Sequence, residues 1–115
     1  MKVLVTGATG FVGREVVRQL RKGGHAIRIL ARSRTSPRVQ EAVSRYGAEV
    51  HAGDVLDAAT LDGALSGIEA VIHLVGIISE VGESTFENVH TRGTGNIVAA
   101  ARQAGVRREW RLDKT

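Results

Sequence analysis

At 115 residues the chain has room for one domain and not for two. Its 43% hydrophobic and 24% charged residues suit a globular fold, and the absence of cysteine excludes a disulfide framework and thiolate metal sites. The net charge of +4 comes from Arg and Lys scattered along the chain with only 3% aromatics among them, which argues against a nucleic-acid-binding module and for solvated helix faces.

In chain order, Lys2 to Thr6 (KVLVT) is a short β-branched run that suits a buried strand. Met1 leads straight into it, so no secretory leader is expected, and no stretch approaches the roughly 18 to 20 apolar residues of a membrane span. The expected location is the cytoplasm. After a glycine-rich stretch, Val12, Val16, Val17 and Leu20 recur at helical spacing opposite Arg14, Arg18, Arg21 and Lys22, and Gly23-Gly24 stops the helix. Ala26 to Ala31 is the second strand. Ser36-Pro37 is an N-cap followed by proline in the first helical turn, predicting a helix to about Tyr46 with Gly47 as terminator. Glu49 to Ala52 is a third strand, Asp57 caps a third helix carrying Leu61 and Leu65, and Ala70 to Val75 is a fourth strand. Ser84 to Glu87 has capping-box spacing and predicts a long last helix that ends near Gly105. Alternating strands and helices imply right-handed crossovers: an α/β fold with a parallel sheet in three layers.

Gly7, Gly10 and Gly13 stand between the first strand and the first helix, with Thr9, Phe11 and Val12 among them. In that setting Gly7 makes the turn, Gly10 lets a pyrophosphate approach the backbone, and Gly13 lets the helix pack on the sheet. The unpaired amides of the first helical turn suit phosphate oxygens. The G-x-x-G-x-x-G spacing resembles the short-chain dehydrogenase/reductase superfamily, in its extended or atypical branch. That branch includes the NAD-dependent epimerase/dehydratase family and relatives of the 39 kDa accessory subunit of respiratory complex I. Three further segments carry the resemblance. Gly53-Asp54-Val55 is similar to the family segment that contacts adenine. His73-Leu74-Val75-Gly76-Ile77 is similar to the strand end lying along the cofactor, and His90 to Asn96 to the family's N-V-x-G-T-x-N helix. The resemblance covers residues 1–108 and implies a Rossmann-like sheet of order 3-2-1-4, with cofactor contacts at Gly7, Thr9, Gly10, Phe11, Val12, Gly13, Asp54, Val55, Leu74, Val75 and Gly76.

The end of the second strand selects between the nicotinamide dinucleotides. No carboxylate lies between Glu15 and Glu41 to take a ribose 2′-hydroxyl, whereas Arg32, and after it Arg34, offers a guanidinium to a 2′-phosphate. NADP(H) is the expected cofactor, with NAD(H) as the alternative.

The resembled enzymes use a Tyr and a Lys four residues later. The one tyrosine here is Tyr46, and position 50 is Val50, so no catalytic residue is assigned. His90 stands where the family has Asn. His25, His51 and His73 have no metal-ligand spacing, and capping accounts for Asp54 and Asp57. These features leave two readings: a cofactor-binding portion of an oxidoreductase or epimerase, without turnover in this chain, or a non-catalytic protein that holds the nucleotide as a structural or sensing ligand. The sheet is expected to stop before a fifth strand, with 109–115 a divergent polar tail able to form at most a short edge segment. That would expose the apolar fourth strand as an edge and invite self-association.

Overall fold

The computed structural model describes residues 1–75, 92–106 and 108–113, with backbone alone for 75 and 108–113. The elements run β1 (Lys2–Thr6), α1 (Phe11–Lys22), β2 (Ala26–Ala31), α2 (Pro37–Tyr46), β3 (Glu49–Ala52), a single 3₁₀ turn (Ala58–Leu61), β4 (Ala70–Val75), α3 (Thr94–Gln103) and β5 (Arg108–Asp113). All strands are parallel, in the order β3-β2-β1-β4-β5. The expected 3-2-1-4 order therefore holds. It places the reversal of winding between β1 and β4, where such sheets open a crevice at the carboxyl ends of their strands.

Strand alternation splits the core in two. Val3 and Val5 of β1 face α1 and α2, packing with Val17, Ile27, Ile29 and Val39. Leu4 faces the opposite side and packs with Leu61, Leu65, Val71 and Ile97. Both faces of the sheet are covered, which is why β1 and β4 read as nearly unbroken apolar runs. At the amino ends, Glu49 accepts from Lys2 Nζ (2.7 Å) and Arg28 Nε (3.1 Å). Arg28 Nη1 also donates to the carbonyls of Ala64 and Ser66 (2.8 Å each), tying β1, β2, β3 and the 62–67 segment together.

The helix signals at α1 and α2 lie where the sequence places them. Ser36 Oγ accepts from Val39 N–H, and Gly47 ends α2 in the left-handed region (φ 66°). The third helix departs from expectation. Asp57 does cap it, accepting from Ala59 N–H, but the segment proceeds by i→i−3 bonds (Thr60 to Asp57, Ala64 to Leu61, Ile68 to Leu65) instead of α-helical ones. The Thr60 hydroxyl binds the carbonyls of Asp54 and Asp57, and such side-chain bonds compete with helix formation. Leu61 and Leu65 still reach the core. The capping box at Ser84 to Glu87 lies outside the described residues, and the described helix begins at Thr94.

The tail requires a correction. Residues 108–113, expected to end the sheet as a polar tail, pair with β4 along their whole length, from Ala70↔Arg108 to Val75↔Asp113. An outermost strand needs only one neighbour and tolerates charge, so its polarity excluded a central place and not this one. In Glu109-Trp-Arg-Leu-Asp113 polar and apolar residues also alternate with the two-residue period of a strand. With β5 in place β4 is no longer an edge, and the expected route to self-association through it is withdrawn.

Candidate functional site

A cleft of about 440 Å³ opens at the carboxyl ends of β1, β2 and β4, within the size range of small-molecule sites. Its floor is the turn out of β1. Gly7 takes φ 70°, and a Cβ there would stand 2.6 Å from the Leu74 carbonyl oxygen, so both the turn and its closeness to β4 require glycine. At Gly13 a Cβ would lie 2.1 Å from the Gly7 carbonyl oxygen, and this contact sets α1 directly on the loop. Gly10 is different. Its backbone (φ −75°, ψ 175°) is open to any residue, and among the described residues a Cβ would meet nothing closer than the Gly7 carbonyl oxygen at 3.5 Å. Nothing among the described residues demands a glycine at position 10.

Gly10 is also the N-cap of α1, where no side chain caps the helix and no acidic residue occupies the first turn. Arg14 N–H takes the Gly10 carbonyl (3.0 Å), while the amides of Phe11, Val12 and Gly13 have no acceptor among the described residues. Unpaired amides, the positive end of a helix dipole and an open Gly10 together make a cradle for an anion.

A second wall is the loop after β3. Asp54 Oδ1 accepts from Leu56 N–H at 2.9 Å, so one oxygen caps the turn as the sequence suggested. The other carboxylate oxygen and the N–H of Val55 have no partner among the described residues, and both residues line the cleft. The wall toward β4 is a buried polar chain. Thr6 Oγ1 lies 2.5 Å from His73 Nδ1 and accepts from Leu74 N–H at 3.2 Å, and His73 Nε2 lies 3.0 Å from Thr94 Oγ1. Thr6 and His73 are each 2% exposed, and the chain joins β1, β4 and α3 beneath the cleft. At the β2 lip stand Arg32, Ser33 and Ser36, and Arg38 of α2 donates to the Thr9 carbonyl at 2.9 Å.

Of the residues expected from sequence, the cleft gathers Gly7, Thr9, Gly10, Arg32, Asp54, Val55 and Leu74. Phe11 and Val12 do not line it: their side chains are 91% and 43% exposed, and they contribute only backbone at the start of α1. Gly13 is a buried packing position. Arg34 lies outside the lining, its carbonyl accepting from Gln40 Nε2. Val75 ends β4 as described backbone, and Gly76 is outside the described residues. Sequence reasoning missed Thr6, Ser33, Ser36 and His73 as cleft-lining residues. Ser36 is visible in the sequence as a cap, and His73 stands in the segment likened to the strand end along the cofactor but has no metal-ligand spacing to mark it individually.

No group of three or more His, Asp or Glu able to hold a metal occurs among the described residues. No helix among them is long and apolar enough to cross a membrane.

Comparison with known proteins bears on the same region. The model of the 3-beta hydroxysteroid dehydrogenase/isomerase family matches residues 4–109. Cinnamoyl-CoA reductase 1 of Oryza sativa subsp. japonica is 36% identical over 110 residues, which are 92% of this chain and 32% of that protein. A short-chain dehydrogenase/reductase superfamily protein of Agrobacterium tumefaciens, solved with bound NAD, is 34% identical with a TM-score of 0.74, over 96% of this chain and 32% of that one. The NADPH complex of the NADPH-dependent quinone oxidoreductase of Escherichia coli is 30% identical with a TM-score of 0.75, over 95% of this chain and 35% of that one. The chain thus spans about a third of the length of these relatives.

Proposed function

The chain belongs to the 3-beta hydroxysteroid dehydrogenase/isomerase family, within the short-chain dehydrogenase/reductase superfamily, and from that membership we propose that it binds a nicotinamide dinucleotide along the cleft, NADP(H) in preference to NAD(H). The observation that carries this reading is Gly10, a glycine that no packing among the described residues requires, standing beside three amides that have no acceptor among them. In the proposed pose the pyrophosphate rests on the amides of Phe11, Val12 and Gly13, the adenine lies against Asp54 and Val55, and the nicotinamide half lies toward Leu74.

Arg32 at the lip supports the preference for a 2′-phosphate. It is exposed, has no ion-pair partner among the described residues, and no carboxylate stands at the end of β2 to compete with it. Arg38, fixed over the glycine loop by its bond to Thr9, adds positive charge on the same side.

The bound nicotinamide would supply hydride transfer, for redox or epimerisation of a small hydroxyl or carbonyl compound, only where a Tyr-x-x-x-Lys pair accompanies it. These 115 residues hold no such pair, so the proposed role of this chain is to bind and orient the cofactor without turning it over. The cytoplasm, where both dinucleotides are at hand, is the proposed compartment. Calorimetric titration with NADPH and NADH tests the proposal. Tighter NADPH binding that Arg32→Ala equalises with NADH is the expected result, and a folded chain that binds neither refutes it.

A further inference from the structure

The loop after β3 is held more firmly than capping requires. Thr60 Oγ1 accepts from Asp54 N–H (2.9 Å), and its hydroxyl proton lies within reach of the carbonyls of Asp57 (2.7 Å) and Asp54 (3.0 Å). The Asp54 carbonyl also accepts from Asp57 N–H at 2.9 Å. A second anchor comes from α3. Asn96 Nδ2 donates to the Val55 carbonyl at 2.7 Å, and Gly93 lies so close that a Cβ there would stand 2.7 Å from Val55 Cγ2.

These bonds fix the orientation of one peptide group. The Asp54–Val55 peptide is trans, so its N–H points opposite to its carbonyl. Thr60 and Asp57 hold that carbonyl toward the inside of the loop, and the Val55 N–H therefore points out of it. Asn96 and Gly93 hold the same residue from α3 and its N-cap. What remains is an acceptor, the second Asp54 carboxylate oxygen, beside a donor, the Val55 N–H.

That pair matches the edge of adenine, which offers an amino donor next to a ring-nitrogen acceptor. Hypoxanthine presents the reverse, a carbonyl acceptor next to a ring N–H. We infer that Asn96 and Thr60 are positioning residues that set base selectivity in the nucleotide cleft, by holding Val55 N–H and Asp54 in the register that accepts adenine and rejects hypoxanthine. The inference rests on the proposed dinucleotide reading of the cleft and assigns the recognition of the base to two residues that need not touch it. Because Thr94, two residues before Asn96, binds His73 of β4, α3 also ties the adenine wall to the β4 side of the cleft.

The test is the ratio of dissociation constants for NADH and reduced nicotinamide hypoxanthine dinucleotide, read by fluorescence titration of the full chain, with thermal melting to confirm folding. The wild-type chain is expected to favour the adenine form by about tenfold or more, from one satisfied pair of hydrogen bonds against one mismatched pair. Asn96→Asp replaces the donor with an acceptor and brings the ratio to within about threefold of unity. Thr60→Val does the same, and Thr60→Ser, which keeps the hydroxyl, restores the preference. A structural role alone would weaken both dinucleotides equally, so a folded Asn96→Asp or Thr60→Val chain that keeps the wild-type ratio overturns the inference. Should Asn96→Asp fail to fold, the Thr60→Val and Thr60→Ser pair decides the matter alone. A wild-type ratio near one with both dinucleotides bound overturns the inference alone, whereas a folded chain that binds neither overturns the dinucleotide reading beneath it as well.

Discussion

Gly10→Ala separates what the glycine loop does for the fold from what it does for a ligand. Among the described residues the new methyl group would have its nearest atom at 3.5 Å, in ordinary contact, and the backbone at this position is one that alanine adopts without strain. Replacing glycine at a compatible position restricts the unfolded chain and adds about 0.4–1 kcal/mol of stability. For a chain of this size that raises the midpoint of thermal melting by on the order of 2–5 °C. The effect on the ligand runs the other way. The methyl group occupies the approach to the amides of Phe11, Val12 and Gly13, and a hydrogen bond to a charged group is worth about 1.5–3 kcal/mol. The loss of one such bond weakens dinucleotide binding by about 10- to 150-fold. Gly13→Ala provides the contrast. There the Cβ would fall 2.1 Å from the Gly7 carbonyl oxygen and 2.7 Å from Ala8 Cα, both backbone atoms, and overpacking of that kind costs about 1–3 kcal/mol or more. Melting curves paired with fluorescence titration of NADPH measure both quantities on the same samples. A Gly10→Ala chain that melts several degrees lower, or binds as tightly as the wild type, refutes the reasoning.

Three further outcomes are expected. Ile29→Ala, at a fully buried position of β2, costs about 2–5 kcal/mol in urea unfolding, a large share of a domain's stability, while Ile29→Val costs about 1. Ser36→Ala removes the cap of α2 and costs about 0.5–1 kcal/mol, the low end because its bond to Val39 N–H is long at 3.4 Å; an unchanged urea midpoint would discount the cap. Bonds from Lys2 and then Arg28 hold the Glu49 carboxyl below its usual value of 4.5, so its contribution is complete above pH 4.5 and is lost as the pH falls through the lowered value. Because Glu49 is half exposed, the effect is at most about 1 kcal/mol. It should appear as a shallower decline of stability below pH 4.5 in Glu49→Gln than in the wild type, and parallel declines would count against it.

Much of this protein is legible in local sequence because it depends on local chemistry. Apolar runs at Lys2 to Thr6 and Ala70 to Val75 mark buried parallel strands, Ser36-Pro37 and Gly47 bracket α2, and the glycine spacing after β1 marks an anion cradle. Each of these is a contest between neighbouring groups of one short segment. The third helix was misread because the Thr60 hydroxyl outcompetes helical geometry, a contest that depends on where the Asp54 and Asp57 carbonyls lie in space. The charge of 109–113 allows at most an edge place, and that the segment pairs along the whole of β4 is decided by its position in the sheet, which is not a property of the segment. The cleft divides in the same way. Its glycines, Arg32 and Asp54 belong to motifs that a linear chain displays, and sequence was enough to name them. Which glycine serves packing and which lies open, that Arg34 stays out of the cleft, that His73 joins Thr6 to Thr94, and that Asn96 reaches Val55 across 41 residues are facts of tertiary structure, because each depends on distances between segments that only the folded sheet brings together.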